Sequence, residues 1–202
     1  SKSALLDQFM PQFLTAPMYH VDGQVKEEVY VYGSFQQSKM FAAGVNCVDC
    51  HDKHSMNIKI EGNGLCLQCH NSEVYDAKQH HRHQADSTGA QCVNCHMTTN
   101  RYMGVDDRRD HSFKIPRPDV SSEFGTPNAC VSCHDQKSNQ WAEQVLTTWH
   151  GKVEPLSTTR NNYYRLHRGQ SISLAQHLEI IADQQIDVIT RATAISLLNQ
   201  TT

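Results

Sequence analysis

All eight cysteines of this 202-residue chain stand in four C-x-x-C pairs, and every pair is followed at once by a histidine. The motifs are Cys47, Cys50 and His51; Cys66, Cys69 and His70; Cys92, Cys95 and His96; and Cys130, Cys133 and His134. No cysteine is left over for a disulfide framework. Were the 13 histidines scattered at random, one after every pair would arise with a probability of about 10⁻⁵. Zinc sites also use C-x-x-C pairs, but they draw their histidines from separately spaced blocks. A thioredoxin-type redox motif comes as a single pair. C-x-x-C-H is the attachment signal of c-type haem. Two thiols one helical turn apart can each add to a vinyl group on one porphyrin edge, while the next residue brings its imidazole to the iron. Four haem c groups are therefore expected, held covalently by the eight cysteines and ligated on the proximal side by the four motif histidines.

Composition agrees with a fold that does not rely on its own core. Only 38% of the chain is hydrophobic, and the mean hydropathy is -0.59. The net charge of -3 leaves no basic footprint for nucleic acid. No run of 18 apolar residues suggests a membrane span. The start "SKSALLDQFMPQF" lacks a basic segment followed by an apolar one, so a mature or trimmed product is expected. Covalent haem attachment takes place outside the cytoplasmic membrane, which points to a periplasmic or extracellular location.

Along the chain, "VKEEVYVYGSF" alternates like a strand around Val29 and Val31, and "QQSKMFAAG" reads as a helix ending at Gly44. The motif region then runs from Cys47 to His134 with intervals of 19, 26 and 38 residues. These are rich in Gly, Asn, Asp and Ser, which suits loops wrapped round cofactors. From Ser138 the pattern turns helical. Ser138 is a candidate N-cap, Trp141, Val145 and Trp149 recur at i, i+4 and i+8, and Gly151 is a stop. A polar link is expected at 151–170, then two helices, one with Leu174, Leu178 and Ile181 on a face, the other with Val188, Ala192, Ile195 and Leu198. The expected domains are a tetrahaem domain at 1–137 and a helical tail at 138–202, either a hairpin or the start of a repeat array. The expected fold class is mainly α and irregular, with little β structure and a haem-filled core.

Nine histidines lie outside the motifs, more than four irons need as sixth ligands. Bis-histidine ligation leaves a haem at low potential and closed to exogenous ligands. His54, three residues after His51, points away from its own iron and would have to serve another. His111, in "RRDHSFKIP", lies among charges outside any apolar stripe and reads as a ligand. "HHRH" places His80, His81 and His83 as candidates, with His83 favoured. His150, His167 and His177 fall on the helical tail, where a surface role is expected for each, and His20 is open. Met97 and Met103 are weaker alternatives.

"CVDCHDKHSMNIKIEGNGLCLQCH" resembles the doubled C-x-x-C-H unit of multihaem cytochromes c. "HRHQADSTGAQCVNCHM", "DHSFKIP" and "TPNACVSCHDQKSNQW" resemble, in order, the last haem segments of the pentahaem nitrite reductase and hydroxylamine oxidoreductase superfamily, above all members with tetratricopeptide or HEAT-type tails. The resemblance covers roughly 24–149. It implies His83 as partner of His134, His111 of His51 and His54 of His70, leaving His150 or His20 for the third haem at His96. The superfamily's catalytic C-x-x-C-K motif is absent from this sequence, and a further haem domain upstream in a longer parent chain is one expectation from this. Electron transfer through mostly bis-histidine haems, to or from other redox proteins, is the leading expectation, with no catalytic residue assigned. The alternatives are a nitrogen- or sulfur-oxyanion reductase with one open haem, and a filament-forming extracellular cytochrome.

Overall fold

The computed structural model describes residues 4–198. Eleven α-helices and one two-stranded sheet occur among the described residues. The fold is thus mainly helical and irregular with little β structure, as composition and motif spacing imply. In the first half the helices are single turns: α1 (Val31–Phe35), α2 (Lys39–Ala42), α3 (Cys47–Cys50), α4 (Ser72–Tyr75), α5 (Lys78–His81) and α6 (Cys92–His96). Three 3₁₀ turns, at Leu5–Asp7, Gly62–Gln68 and Thr88–Ala90, join them. A hairpin follows, β1 (Thr99–Tyr102) antiparallel to β2 (Asp106–Arg109), with Tyr102 opposite Asp106. The longer helices come last: α7 (Pro118–Phe124), α8 (Asn139–His150), α9 (Thr158–His167), α10 (Leu174–Ala182) and α11 (Val188–Ser196).

The strand expected around Val29 and Val31 is instead the approach to α1, with Tyr30 and Val31 exposed. What fixes this segment is polar. The Ser34 hydroxyl donates to Asp110 at 2.6 Å, and the same carboxylate accepts from the backbone amides of Val25 (2.9 Å) and Ser112 (2.7 Å). The polar link expected at 151–170 contains α9, capped by Ser157, whose hydroxyl accepts from the Arg160 amide.

Apolar burial lies on either side of the stretch 26–101. Val21, Val120, Phe124, Tyr163, Tyr164, Leu166, Ile172, Ile180, Ile186, Ala194 and Leu197 form one cluster; Leu14, Tyr19, Val25, Tyr102 and Ile189 form another. The Leu14 amide donates to Thr193 Oγ1 at 3.0 Å. The core therefore joins both sides of the boundary expected at 137/138. From Lys26 to Arg101 the chain fully buries one apolar side chain, Ala90. A stretch of that length cannot offset its conformational entropy with one alanine.

The tail helices lie where periodicity places them, but with different faces inward. Leu174, Leu178, Val188 and Ile195 are exposed, while His177, Ile180, Ile189, Thr193 and Ala194 are buried. His177, expected at the surface, is fully buried, with Nε2 2.7 Å from the Ala194 carbonyl. Positions 199–202 of the second expected tail helix fall outside the described residues.

Candidate haem centres

Each C-x-x-C-H motif is built on a tight turn. In α3 the Asn46 amide donates to the Asp49 carboxylate at 2.7 Å, starting a turn that places Cys47 and Cys50 on one side. His51 then leaves the helix in extended backbone (φ -110°, ψ 148°), which turns its ring away from the helix axis. The third motif is clamped to the second by Asn63, whose Oδ1 accepts from the Cys92 amide at 2.9 Å while its Nδ2 donates to Asp76 and the Ala90 carbonyl. In the fourth, the Cys130 amide donates to Asn128 Oδ1, and the His134 amide closes on the Cys130 carbonyl, both at 2.9 Å.

Three of the four motif histidines face another imidazole. Ring centroids are 6.3 Å apart for His51 and His111, 6.2 Å for His96 and His80, and 6.2 Å for His134 and His83, with interplanar angles of 27°, 18° and 29°. A metal-bound imidazole nitrogen lies about 2.0–2.1 Å from the ion and about 1.1 Å from its own centroid, so two rings across one ion stand roughly 6.2–6.4 Å apart. The observed spacings match this.

The tautomers match too. His51 Nδ1 is 2.7 Å from the Met56 carbonyl, His96 Nδ1 2.9 Å from that of Lys114, His111 Nδ1 2.9 Å from that of Arg109, and His83 Nδ1 2.5 Å from that of His81. A carbonyl can only accept, so Nδ1 carries the proton and Nε2 keeps its lone pair, the second-shell arrangement that orients a ligating histidine. His81 is wired the other way. Its Nδ1 accepts from the His83 amide at 3.1 Å, which puts the proton on Nε2. Of the three histidines in "HHRH", His80 and His83 thus face motif histidines and His81 braces the turn. Arg82 between them is left-handed (φ 60°), and this reverses the chain so that His80 and His83 serve different motifs.

The third motif departs from expectation, since His80, not His150 or His20, faces His96. His150 lies beside His80, with ring centroids 6.3 Å apart and planes tilted by 56°. His20 sits in the N-terminal segment, near enough to Asp22, Asp110 and His167 to interact with their charges. His54 and His70 are not brought face to face. His70 meets the Tyr75 ring edge-on at 5.4 Å. Among the described residues no three of His, Cys, Asp and Glu converge to hold an ion by themselves. Imidazoles at this spacing, with paired thiols beside each motif histidine, would suit a thioether-anchored porphyrin. The residues fit the group.

Successive motifs lie within electrostatic range of one another in sequence order. Cys50 interacts electrostatically with Cys69 and with Cys66, Cys66 and Cys92 share a thiol hydrogen bond, and Cys95 interacts with Cys130 and Cys133. Burial pushes the Cys95 and Cys130 thiols up and the His80 and His111 imidazoles down, which favours the neutral ring at His80 and at His111.

Several positioning residues escape a reading of the sequence. Trp141 and Trp149 of α8 flank the His134–His83 pair, at 5.1 Å from His134 and 6.3 Å from His83, so two members of the apolar stripe on this helix face this centre. Asp110 ties the His111 loop to α1, and Gly89 admits the His83 ring: a Cβ there would lie 2.2 Å from His83 Cδ2.

No family model matches the chain, and no curated protein is similar to it at a significant level. Among solved structures it is similar to the outer cell wall cytochrome OcwA, with 17% identity and a TM-score of 0.45 over 92% of this chain and 52% of that one. The chain spans about half the length of that structure. A likeness so distant assigns no role to any residue. No described helix is long and apolar enough to cross a membrane.

Proposed function

We propose that this chain is a tetrahaem c-type cytochrome unit that passes electrons between redox proteins outside the cytoplasmic membrane, with a place in the nitrite reductase and hydroxylamine oxidoreductase superfamily. The observation that carries this reading is the threefold recurrence of near-parallel imidazoles with centroids 6.2–6.3 Å apart, each pair beside a C-x-x-C thiol couple. Bound haem iron supplies one-electron cycling between the ferrous and ferric states.

The chain's own residues do the remaining work. The eight cysteines fix the position of each group by two thioether links. His51 with His111, His96 with His80 and His134 with His83 would hold the iron through two imidazoles each, which would favour low potentials. The carbonyls of Met56, Lys114, Arg109 and His81 hold those imidazoles in one tautomer and orientation. The nearness of each motif to the next favours a linear order, first to fourth, along which electrons move in single steps. The two domains act together in this reading: 1–137 carries the centres, and the tail at 138–202 supplies Trp141 and Trp149 to the fourth.

A potentiometric titration followed in the visible α-band tests the reading. Four one-electron couples per chain are expected, with the three bis-histidine centres at low potential. Fewer than four, or no band at all, would count against it.

A further inference from the structure

We infer that Tyr75 is a positioning residue shared by two centres: its single ring sets the orientation of His70, the proximal ligand of the second, and of His80, the imidazole facing His96 in the third. This rests on the tetrahaem reading and goes beyond it, since it gives one side chain that holds no iron control over the ligand planes of two.

The Tyr75 ring stands against both imidazoles. Its centroid is 5.4 Å from that of His70 and 5.5 Å from that of His80, with interplanar angles of 78° and 80°. Both contacts are edge-on and fall within the range of about 4.5–7 Å at which the positive edge of one ring attracts the negative face of another. An imidazole turns over a broad range about its last side-chain torsion, so a ligating ring needs a further contact to hold its plane. Carbonyls make that contact at His51, His96, His111 and His83. At His70 and His80 it is made by Tyr75, which at His80 stands closer than His150 does, 5.5 Å against 6.3 Å.

Hydrogen bonds from both motifs fix Tyr75 in this place. α4 opens directly after His70, with Asn71 Oδ1 accepting from the Glu73 amide at 2.9 Å. The Asn71 carbonyl accepts from the Tyr75 amide at 2.9 Å, closing the turn that brings the ring back to His70. Gln79 Nε2 donates to the Glu73 carbonyl at 3.2 Å, which ties α5 and its His80 to α4. The next residue, Asp76, accepts from Asn63 Nδ2 at 2.8 Å, and the same Asn63 accepts from the Cys92 amide. Tyr75 is thus held from the second motif on one side and the third on the other.

The consequence lies in the electronic state of the iron. When two imidazoles bind a low-spin ferric haem, the angle between their planes fixes the splitting of the iron d orbitals, and twisting the planes apart raises the largest g value. His80 and His96 stand at 18°, the most nearly parallel of the three pairs, against 27° and 29° for the others. This is the pair that Tyr75 touches.

The test compares the exported holoproteins of the unaltered chain, Tyr75→Leu, Tyr75→Phe and Trp141→Leu by low-temperature paramagnetic resonance. A pyridine haemochrome count on the unaltered protein comes first, because fewer than four haems would overturn the tetrahaem reading and the inference with it. Tyr75 is 45% exposed, so shortening it opens no buried cavity. Tyr75→Leu should change the signals of two haems in four, one of them by a rise in its largest g value. Tyr75→Phe keeps the ring and should match the unaltered protein, and Trp141→Leu, whose indole meets His134 of the fourth centre, should change one signal. A purely structural Tyr75 would lower the urea midpoint and leave all four signals in place, which would overturn the inference, as would a change at one haem only or the same changes in Tyr75→Phe. Should Tyr75→Leu carry fewer than four haems, peptide mass mapping decides: loss confined to the second and third motifs supports the shared role, and loss at the first or fourth contradicts it.

Discussion

Gly89 matters through what it lacks. A side chain there would collide with His83, its Cβ 2.2 Å from Cδ2 and 2.5 Å from Cγ. Gly89→Ala should therefore displace the imidazole facing His134 and turn one low-spin haem high-spin, measured by low-temperature paramagnetic resonance; an unchanged spectrum would show that His83 is not a ligand. Asp110 works by the opposite means, gathering donors from Val25, Ser34 and Ser112 onto one buried carboxylate. Asp110→Ala strands those donors and should cost about 3 kcal/mol in a urea melt, with the His111 loop loosened as well. An unaffected melt would show that water replaces the carboxylate without loss. The motif histidines stand out in the sequence because the chemistry fixes their spacing, and His111 because it lies among charges outside any apolar stripe, whereas His83 is singled out within "HHRH" only by the family resemblance. Gly89 and Asp110 are not legible there, since their roles depend on a ring six residues back and on hydroxyl and amide groups 76 and 85 residues away.

At the scale of elements, caps were more legible than faces. Ser138 accepts from the amide three residues on, and α8 begins where it predicts; Ser173 caps α10 in the same way without having been singled out in the sequence. The face of α10 was misread because Leu174, Leu178, Ile180 and Ile181 surround the helix and offer two apolar stripes. The buried one includes His177, which the Ala194 carbonyl satisfies. α9 was invisible because its inward side carries Asn162, Tyr163 and Tyr164 among charged neighbours. The junction between α9 and the N-terminal segment also carries a pH dependence. Burial is the first cause that lowers both His167 and His20 below 6.5; His20 adds to the effect on His167 and Lys26 to that on His20, while Asp22 opposes it at both and Asp110 at His20. The Leu14 carbonyl also opposes it at His167, whose Nε2 is buried without a partner. Histidines lowered in the fold bind fewer protons there than in the unfolded chain, so their share of stability is complete near neutrality and is lost as pH falls below 6.5. The urea midpoint should drop between pH 7.5 and pH 5.5, and His167→Gln should flatten that drop. An identical slope in the variant would move the acid sensitivity elsewhere.

The whole molecule divides its stability between two kinds of core. The parts of the chain on either side of 26–101 bury tyrosines, leucines and isoleucines around α7 and α9 to α11, whereas that stretch fully buries Ala90 and little else that is apolar. That middle part has to take its core from the groups its cysteines hold, so chain made without haem attachment should show rapid amide exchange across 47–98, and slow exchange there would contradict this division. The central claim is that four haems are bound through the four motifs, and intact-mass spectrometry of the exported protein after acid–acetone extraction tests it most directly. The expected result is a single species at the chain's 22.9 kDa plus four haem masses, none of it removed by the solvent. A species at the bare chain mass, or one carrying fewer than four haems, would contradict the claim.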